Sequence, residues 1–294
     1  MMYSVSRLQL YERCQAAFYY KYLLELPEAP SDALVLGKTV HTAIQRYLSG
    51  DALENAVDVA LAEAQLPMDK KEVQSLTAHP AVMSIMGGYV EQHFHLPLLD
   101  NGNLVIQGYI DYFNQDESGI VLKDWKTNRS PYEPTDNHQL GLYAWALSQM
   151  TGAEEVHGEL VFLRYSLSKK QYAYTYDKHD MEEARQWAVR LAVDIDGKLA
   201  QLETNADSAL LFPDQPGVHC QHCGYAELCI RSRKVTPVIV DSALAAKQLA
   251  LEVIRLESAL SEYKDQLKSW AKANGDIVVG DSSFSFVPSV SWGF

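Results

Sequence analysis

The segment IVLKDWK, residues 120–126, reads as a buried β-strand but carries an acid and a base where apolar residues belong. Side chains alternate across a strand, so Asp124 and Lys126 share one face and Trp125 points to the other. Charged side chains are rarely buried unless paired or bound to an ion, so the strand presents its pair to something polar. NLVIQGYIDYFN, residues 103–114, alternates as a strand, and DESG at 116–119 is a turn, so the two runs form a hairpin. Pairing them places Asp111 beside Asp124. Two carboxylates that close repel unless a divalent cation sits between them, and oxygen ligands with open positions suit Mg2+ or Mn2+. Lys126 then lies where it can orient or deprotonate a water and stabilise charge building on a phosphate.

An Asp-x-Lys pair is common, and a salt-bridged surface hairpin also accounts for it. The surroundings carry the case. Residues 4–25 have helical spacing at Leu8, Tyr11, Phe18 and Tyr22, and residues 37–48 form a second helix that ends at Ser49-Gly50. Helical stretches follow at 51–66 and 69–94. After the hairpin come a helix over 136–150, strands at 156–165 and 171–177, a helix over 179–203 and a cysteine-rich loop at 213–229. His41 lies in Gly37-x-x-x-His41, although a lone helical histidine is more often packed than ligating. Gln139 and Tyr143, spaced i and i+4, share one helical face.

Gly37-x-x-x-His41, Gly108-x-x-Asp111, Asp124-Trp125-Lys126 and Gln139-x-x-x-Tyr143 resemble, in that order, the successive motifs of the PD-(D/E)XK nucleases, in particular the RecB-type branch. The resemblance spans about residues 4–230. It implies an α/β fold: a restriction-endonuclease-like core with a central mixed sheet flanked by helices, here followed by a helical C-terminal extension. It also implies that His41, Asp111 and Asp124 are metal ligands and Lys126 the catalytic lysine, with Gln139 and Tyr143 holding the DNA strand.

Cys220-x-x-Cys223 and Cys229 form a compact triple, with Cys14 far upstream. Four thiolates can hold zinc or an iron–sulfur cluster, but zinc sites usually use two close pairs. His219 and His222 are possible substitutes for a cysteine at a zinc site. The layout is similar to that of RecB-type nucleases with an iron–sulfur cluster, such as AddB and the nuclease of CRISPR adaptation. There too Ser4-x-x-Arg7-Leu8-x-x-x-Tyr11-x-x-Cys14, followed by Phe18 and Tyr20, has counterparts. The resemblance implies a [4Fe-4S] cluster on Cys14, Cys220, Cys223 and Cys229. Gln15 stands where the family often has proline, and no ligand is lost by it.

The chain has 294 residues, 47% hydrophobic and 21% charged, enough for a substantial core. Its net charge of −13 bears on solubility and not on what one cleft binds, and local basic groups exist at Lys169, Lys170, Arg231, Arg233 and Lys234. No apolar run suits a membrane span or a signal peptide, so the expectation is a cytoplasmic chain with reduced cysteines and no membrane partner. G-x-x-x-x-G-K-[ST] is absent, so any unwinding comes from a helicase or other partner. The expected domains are a nuclease at 1–235 and an extension at 236–294. Within 241–274, Leu249, Val253, Leu256, Leu260, Tyr263, Leu267 and Trp270 step by four and three, a heptad stripe that packs on the parent domain or makes a homo-oligomer. Two short strands, DIVVG and SFSFV, end the chain. The expected function is a metal-dependent DNase. A single-stranded DNA exonuclease is the preferred form, working in recombination, repair, phage DNA processing or CRISPR adaptation. The alternative is a non-catalytic DNA-binding or scaffold subunit on a nuclease fold.

Overall fold

The computed structural model describes residues 1–28, 30–166, 172–204, 207–226, 228–229, 242–279 and 282–284. Lys169, Lys170, Arg231, Arg233 and Lys234 lie outside them. The chain divides into two units, residues 1–13 with 27–211, and residues 14–26 with 212–294. Among the described residues no helix is long and apolar enough to cross a membrane.

The first unit is built on a mixed sheet of β1 (Met2–Tyr3), β2 (Tyr89–Pro97), β3 (Val105–Asp116), β4 (Gly119–Lys126), β5 (Val156–Phe162) and β6 (Tyr172–Tyr176). The order is β1-β3-β4-β5-β6, with β2 also on β3. The expected hairpin is β3–β4, antiparallel from Asp116 opposite Gly119 to Tyr112 opposite Lys123. β5 then runs parallel to β4, with Trp125 opposite Val161. A parallel neighbour needs a crossover, which here is α7 (Gln139–Thr151). Gly152 ends that helix in the left-handed region at φ +79°, where glycine carries no Cβ penalty.

Helices cover both sheet faces. On one, α3 (Asp32–Leu48), α4 (Leu53–Ala62), α5 (Lys70–Thr77) and α6 (Pro80–Met83) enclose a core in which Val40, Ala43 and Ile44 meet Tyr112, Trp125 and Val161. On the other, α7 packs on β5 and on α8 (Lys178–Glu203), which also meets α1 (Val5–Arg13). A capping box of Asp177 and Asp180 starts α8 by satisfying backbone donors that its first turn leaves open. Tyr3 and Tyr11 reach back to Asp196 and Asp194 on α8, fixing the N-terminal segment to it. A short helix, α9 (Ser208–Leu211), closes the unit.

Two sequence expectations need correction. Residues 69–94 are not one helix: after α5 and α6 the chain enters strand β2 at Tyr89. Gly87 and Gly88, at φ +75° and +89°, end the helical run, and a Cβ on Gly88 would come within 2.5 Å of the Tyr112 ring. The N-terminal helix is also interrupted, because Cys14 is extended between α1 and α2 (Gln15–Phe18).

The second unit begins with α2, which continues into a π-helical turn at Tyr19–Leu23. The Gln15 amide donates to Gln215 Oε1 at 2.9 Å and the Ala16 amide to Pro213 O at 3.1 Å. Phe18 stacks on Phe212 and Tyr20 lies against Tyr225, so this short segment is sewn to residues 212–225. A 3-10 turn at Val218–His222, the long α10 (Ala243–Asn274) and a small hairpin of β7 (Ile277–Val279) and β8 (Ser282–Phe284) complete the unit.

The motif glycine Gly108 has a steric cause: a Cβ there would lie 2.8 Å from the Phe94 ring. Gly108→Ala should therefore destabilise the chain by about 1–3 kcal/mol, the usual cost of overpacking a filled core. Denaturant titration reads this, and an unchanged midpoint would remove the steric explanation.

Candidate active site

β3 and β4 stop pairing at Tyr112 and Lys123, immediately before Asp111 and Asp124. The hairpin opens there, and the ladder contacts of Trp125 toward β3 are lost. Side chains replace them. The Trp125 amide donates to Asp111 Oδ2 at 2.8 Å, and the Trp125 carbonyl meets His41 Nε2 at 2.8 Å. The indole is 1% exposed and packs in the α3–α6 core, so it anchors this arrangement from below.

The bond to the carbonyl fixes the imidazole. A carbonyl only accepts, so Nε2 carries the proton and Nδ1 is left facing Asp111 Oδ1 at 3.4 Å. Neutral, Nδ1 is a lone pair opposed to a carboxylate. Such a contact is favourable only with a cation between the two or with a second proton on the ring. Burial opposes that proton, but Asp111, helped by Asp124 and the Trp125 carbonyl, outweighs it and pushes the His41 pKa up to about 9.

Glu91, a residue the sequence reading missed, completes the group. One ligand atom from each of His41, Glu91 and Asp111 lies within 4.8 Å of the others. Glu91 sits on β2 between Val90, which pairs with Tyr112, and Gln92, which pairs with Ile110. Its backbone is left-handed, φ +49°, a conformation uncommon for a residue with a Cβ and one that recurs at functional sites. Burial pushes its carboxyl up to about 7, and Asp111 adds to the effect. Three acceptor groups crowded in this way, one of them a neutral-capable imidazole oriented through its other nitrogen, fit a hard divalent cation.

Asp124 is engaged differently. It is 2% exposed, and burial raises its pKa against the opposing pull of Lys126. Gln139 Nε2 donates to Asp124 Oδ1 at 2.9 Å, while Asp124 Oδ2 is ion-paired with Lys126 Nζ at 2.5 Å. Lys126 Nζ also donates to Gln139 Oε1 at 2.9 Å. Gln139 thus clamps the acid and the base that face it from β4. Tyr143 lies behind, 8% exposed, its hydroxyl 3.4 Å from Gln139 Nε2 and its ring edge-on to Phe94. Tyr132, on the loop after β4, also lies beside Lys126 and was not foreseen. Burial opposes the charge on Lys126, but Asp124 and then Tyr132 reverse this and raise its pKa, so the side chain stays an ammonium.

The structure therefore gathers His41, Asp111, Asp124, Lys126, Gln139 and Tyr143 in one unit. The acceptor triple pairs His41 and Asp111 with Glu91, whereas Asp124 is held by Gln139 and Lys126. The four cysteines belong to the other unit, all with free thiols.

Residues 2–230 match the model of the PD-(D/E)XK nuclease superfamily. Mitochondrial exonuclease V of Eremothecium gossypii is 24% identical over 241 residues, a match covering 72% of this chain and 45% of that protein. The chain thus spans less than half the length of this curated relative. Among solved structures, SSO0001 aligns over 79% of this chain and 86% of its own at 13% identity and a TM-score of 0.40. A candidate exonuclease from Eubacterium rectale aligns over 82% and 90% at 13% identity and a TM-score of 0.43.

A cation that binds the folded triple stabilises it, by about 2.7 kcal/mol at a hundredfold excess over its dissociation constant. Mn2+ should raise the melting temperature of the chain, with the shift lost in Asp111→Asn and in Glu91→Gln. Equal shifts in all three proteins would place the ion elsewhere.

Proposed function

The chain belongs to the PD-(D/E)XK nuclease superfamily, and from that premise we propose that it is a deoxyribonuclease dependent on Mg2+ or Mn2+, acting on single-stranded DNA from an end. The observation that carries this reading is the acceptor triple of His41, Glu91 and Asp111 beside a buried, charged Lys126. The name of the exonuclease V relative supports attack from an end.

A divalent cation, when bound, supplies Lewis-acid charge that favours in-line attack of water on the phosphodiester. His41, Glu91 and Asp111 would hold it, with the Trp125 carbonyl fixing the ring tautomer that leaves Nδ1 free to ligate. Asp124 is the further ligand proposed from the sequence motif. Lys126 stands beside Asp124 and Tyr132, which favour its ammonium form. Its role is to orient the attacking water and to neutralise charge that develops on the phosphate oxygens. Gln139 positions Lys126 and Asp124 together, and Tyr143 supports Gln139.

We assign Cys14, Cys220, Cys223 and Cys229 to a [4Fe-4S] cluster. Burial raises the Cys223 pKa, with Cys14, Cys220 and Cys229 adding to it, which supports a shared site for the four thiols. Among the described residues no three of these sulfurs gather within 4.8 Å. The assignment rests on the sequence layout, one cysteine in the first helical region and the close triple Cys220-x-x-Cys223 and Cys229 far downstream. The cluster would cross-link residues 14–26 to 212–229, and no redox step is required of it.

Single-stranded DNA labelled at either end, incubated with Mn2+ or Mg2+, tests the nuclease. Cation-dependent shortening by the wild type and its loss in Lys126→Ala are the expected results, and the label released first gives the polarity. Intact wild type that binds DNA but never cuts would make the chain a DNA-binding subunit. For the cluster, protein prepared without oxygen should be brown and contain iron, and Cys223→Ala should lose both the colour and thermal stability. A colourless, iron-free and fully stable wild type would refute the assignment.

A further inference from the structure

α10 is a single helix of 32 residues, about 48 Å long, and it carries its apolar stripe in the open. Val253 is 43% exposed, Leu256 50%, Leu260 52%, Tyr263 62% and Trp270 52%. With Leu249 and Leu267, both half-buried, these residues alternate steps of four and three over three heptads, placing Val253, Leu260 and Leu267 at one core position and Leu249, Leu256, Tyr263 and Trp270 at the other. We propose that this seam binds the same seam of a second copy of the chain, with the two helices antiparallel.

Side-chain size selects that direction. The seam widens along the helix, from Val253 to Tyr263 and Trp270. A parallel pair in register would stack Trp270 on the partner's Trp270 and Val253 on the partner's Val253, too wide at one end and too narrow at the other. Antiparallel helices instead set Val253 against the partner's Trp270, Leu256 against the partner's Leu267 and Leu260 against the partner's Tyr263. Each layer then joins a smaller side chain to a larger or equal one, and the helix separation is even along the seam.

Charge selects the same register. Glu257 and Lys264 each follow a core position by one residue and flank the seam. Neither makes an ion pair along its own chain among the described residues. The antiparallel register that aligns the apolar layers also brings Glu257 of one chain beside the partner's Lys264, and two-fold symmetry repeats the pair. In a parallel pair Lys264 would meet only the partner's Ala259. Leu251 and Ile254 are exposed outside the seam and take no part.

The test is the self-association of the full chain by sedimentation equilibrium. Wild type should form a dimer, and Leu260→Asp, changed at an already exposed position, should leave a folded monomer. Glu257→Lys alone and Lys264→Glu alone each turn two attractive pairs repulsive and should each weaken the dimer by about tenfold. The double reversal Glu257→Lys with Lys264→Glu restores both pairs and should recover the wild-type constant. Residues 257 and 264 are two helical turns apart, too far for the rescue to arise within one helix. A wild type that is monomeric at all concentrations, or a double variant no tighter than the single ones, overturns the proposal. The latter outcome would also follow from a parallel pair or from a stripe packed within its own chain.

Discussion

The amide and carbonyl of Trp125 have no partner strand on the β3 side, and Asp111 and His41 take its place. A buried backbone group left without a partner costs about 1–3 kcal/mol, so each of these bonds matters to stability as well as to the site. The indole of the same residue is locked among Val40, Ile44 and Tyr112. Core packing thereby sets the strand, the strand sets the two side chains, and the side chains face each other across 3.4 Å. Little of this depends on flexible elements. The site inherits its precision from a hydrophobic cluster on the far side of the sheet.

The hairpin and its acid and base were legible in the sequence because two local signals coincide there: a period of two, and a turn at Asp116–Gly119. A charged pair inside a buried strand is conspicuous for the same energetic reason that makes it rare. β2 was not legible. Gln92, His93 and His95 surround the buried Phe94 with polar residues and weaken the alternation, and Val73, Leu76 and Val82 upstream extend the helical pattern into it. Glu91 was lost along with the strand. Its relation to Asp111 depends on cross-strand register and on one left-handed residue, and neither leaves a trace in spacing. Tyr132 escaped for a different reason, since a loop residue meets Lys126 only through the path of the loop.

Net charge was a poor guide. At −13 the chain repels polyanions at long range, yet the atoms gathered around β4 are balanced locally. Asp124 is matched by Lys126, and Asp111 lies against the His41 ring. The second unit is likewise organised by local terms: Phe18 stacks on Phe212 and Tyr20 lies tilted against Tyr225, which ties the segment after Cys14 to the one that carries the other three cysteines.

The left-handed backbone of Glu91 sets folding and chemistry against each other. Glycine or asparagine would occupy that conformation with less strain, whereas glutamate is held in it by its surroundings. Replacing it would also remove one of two carboxylates that repel each other. Selection for heat resistance alone would therefore drift toward a different residue at position 91, and the hardier protein so obtained would have lost one side of its cage.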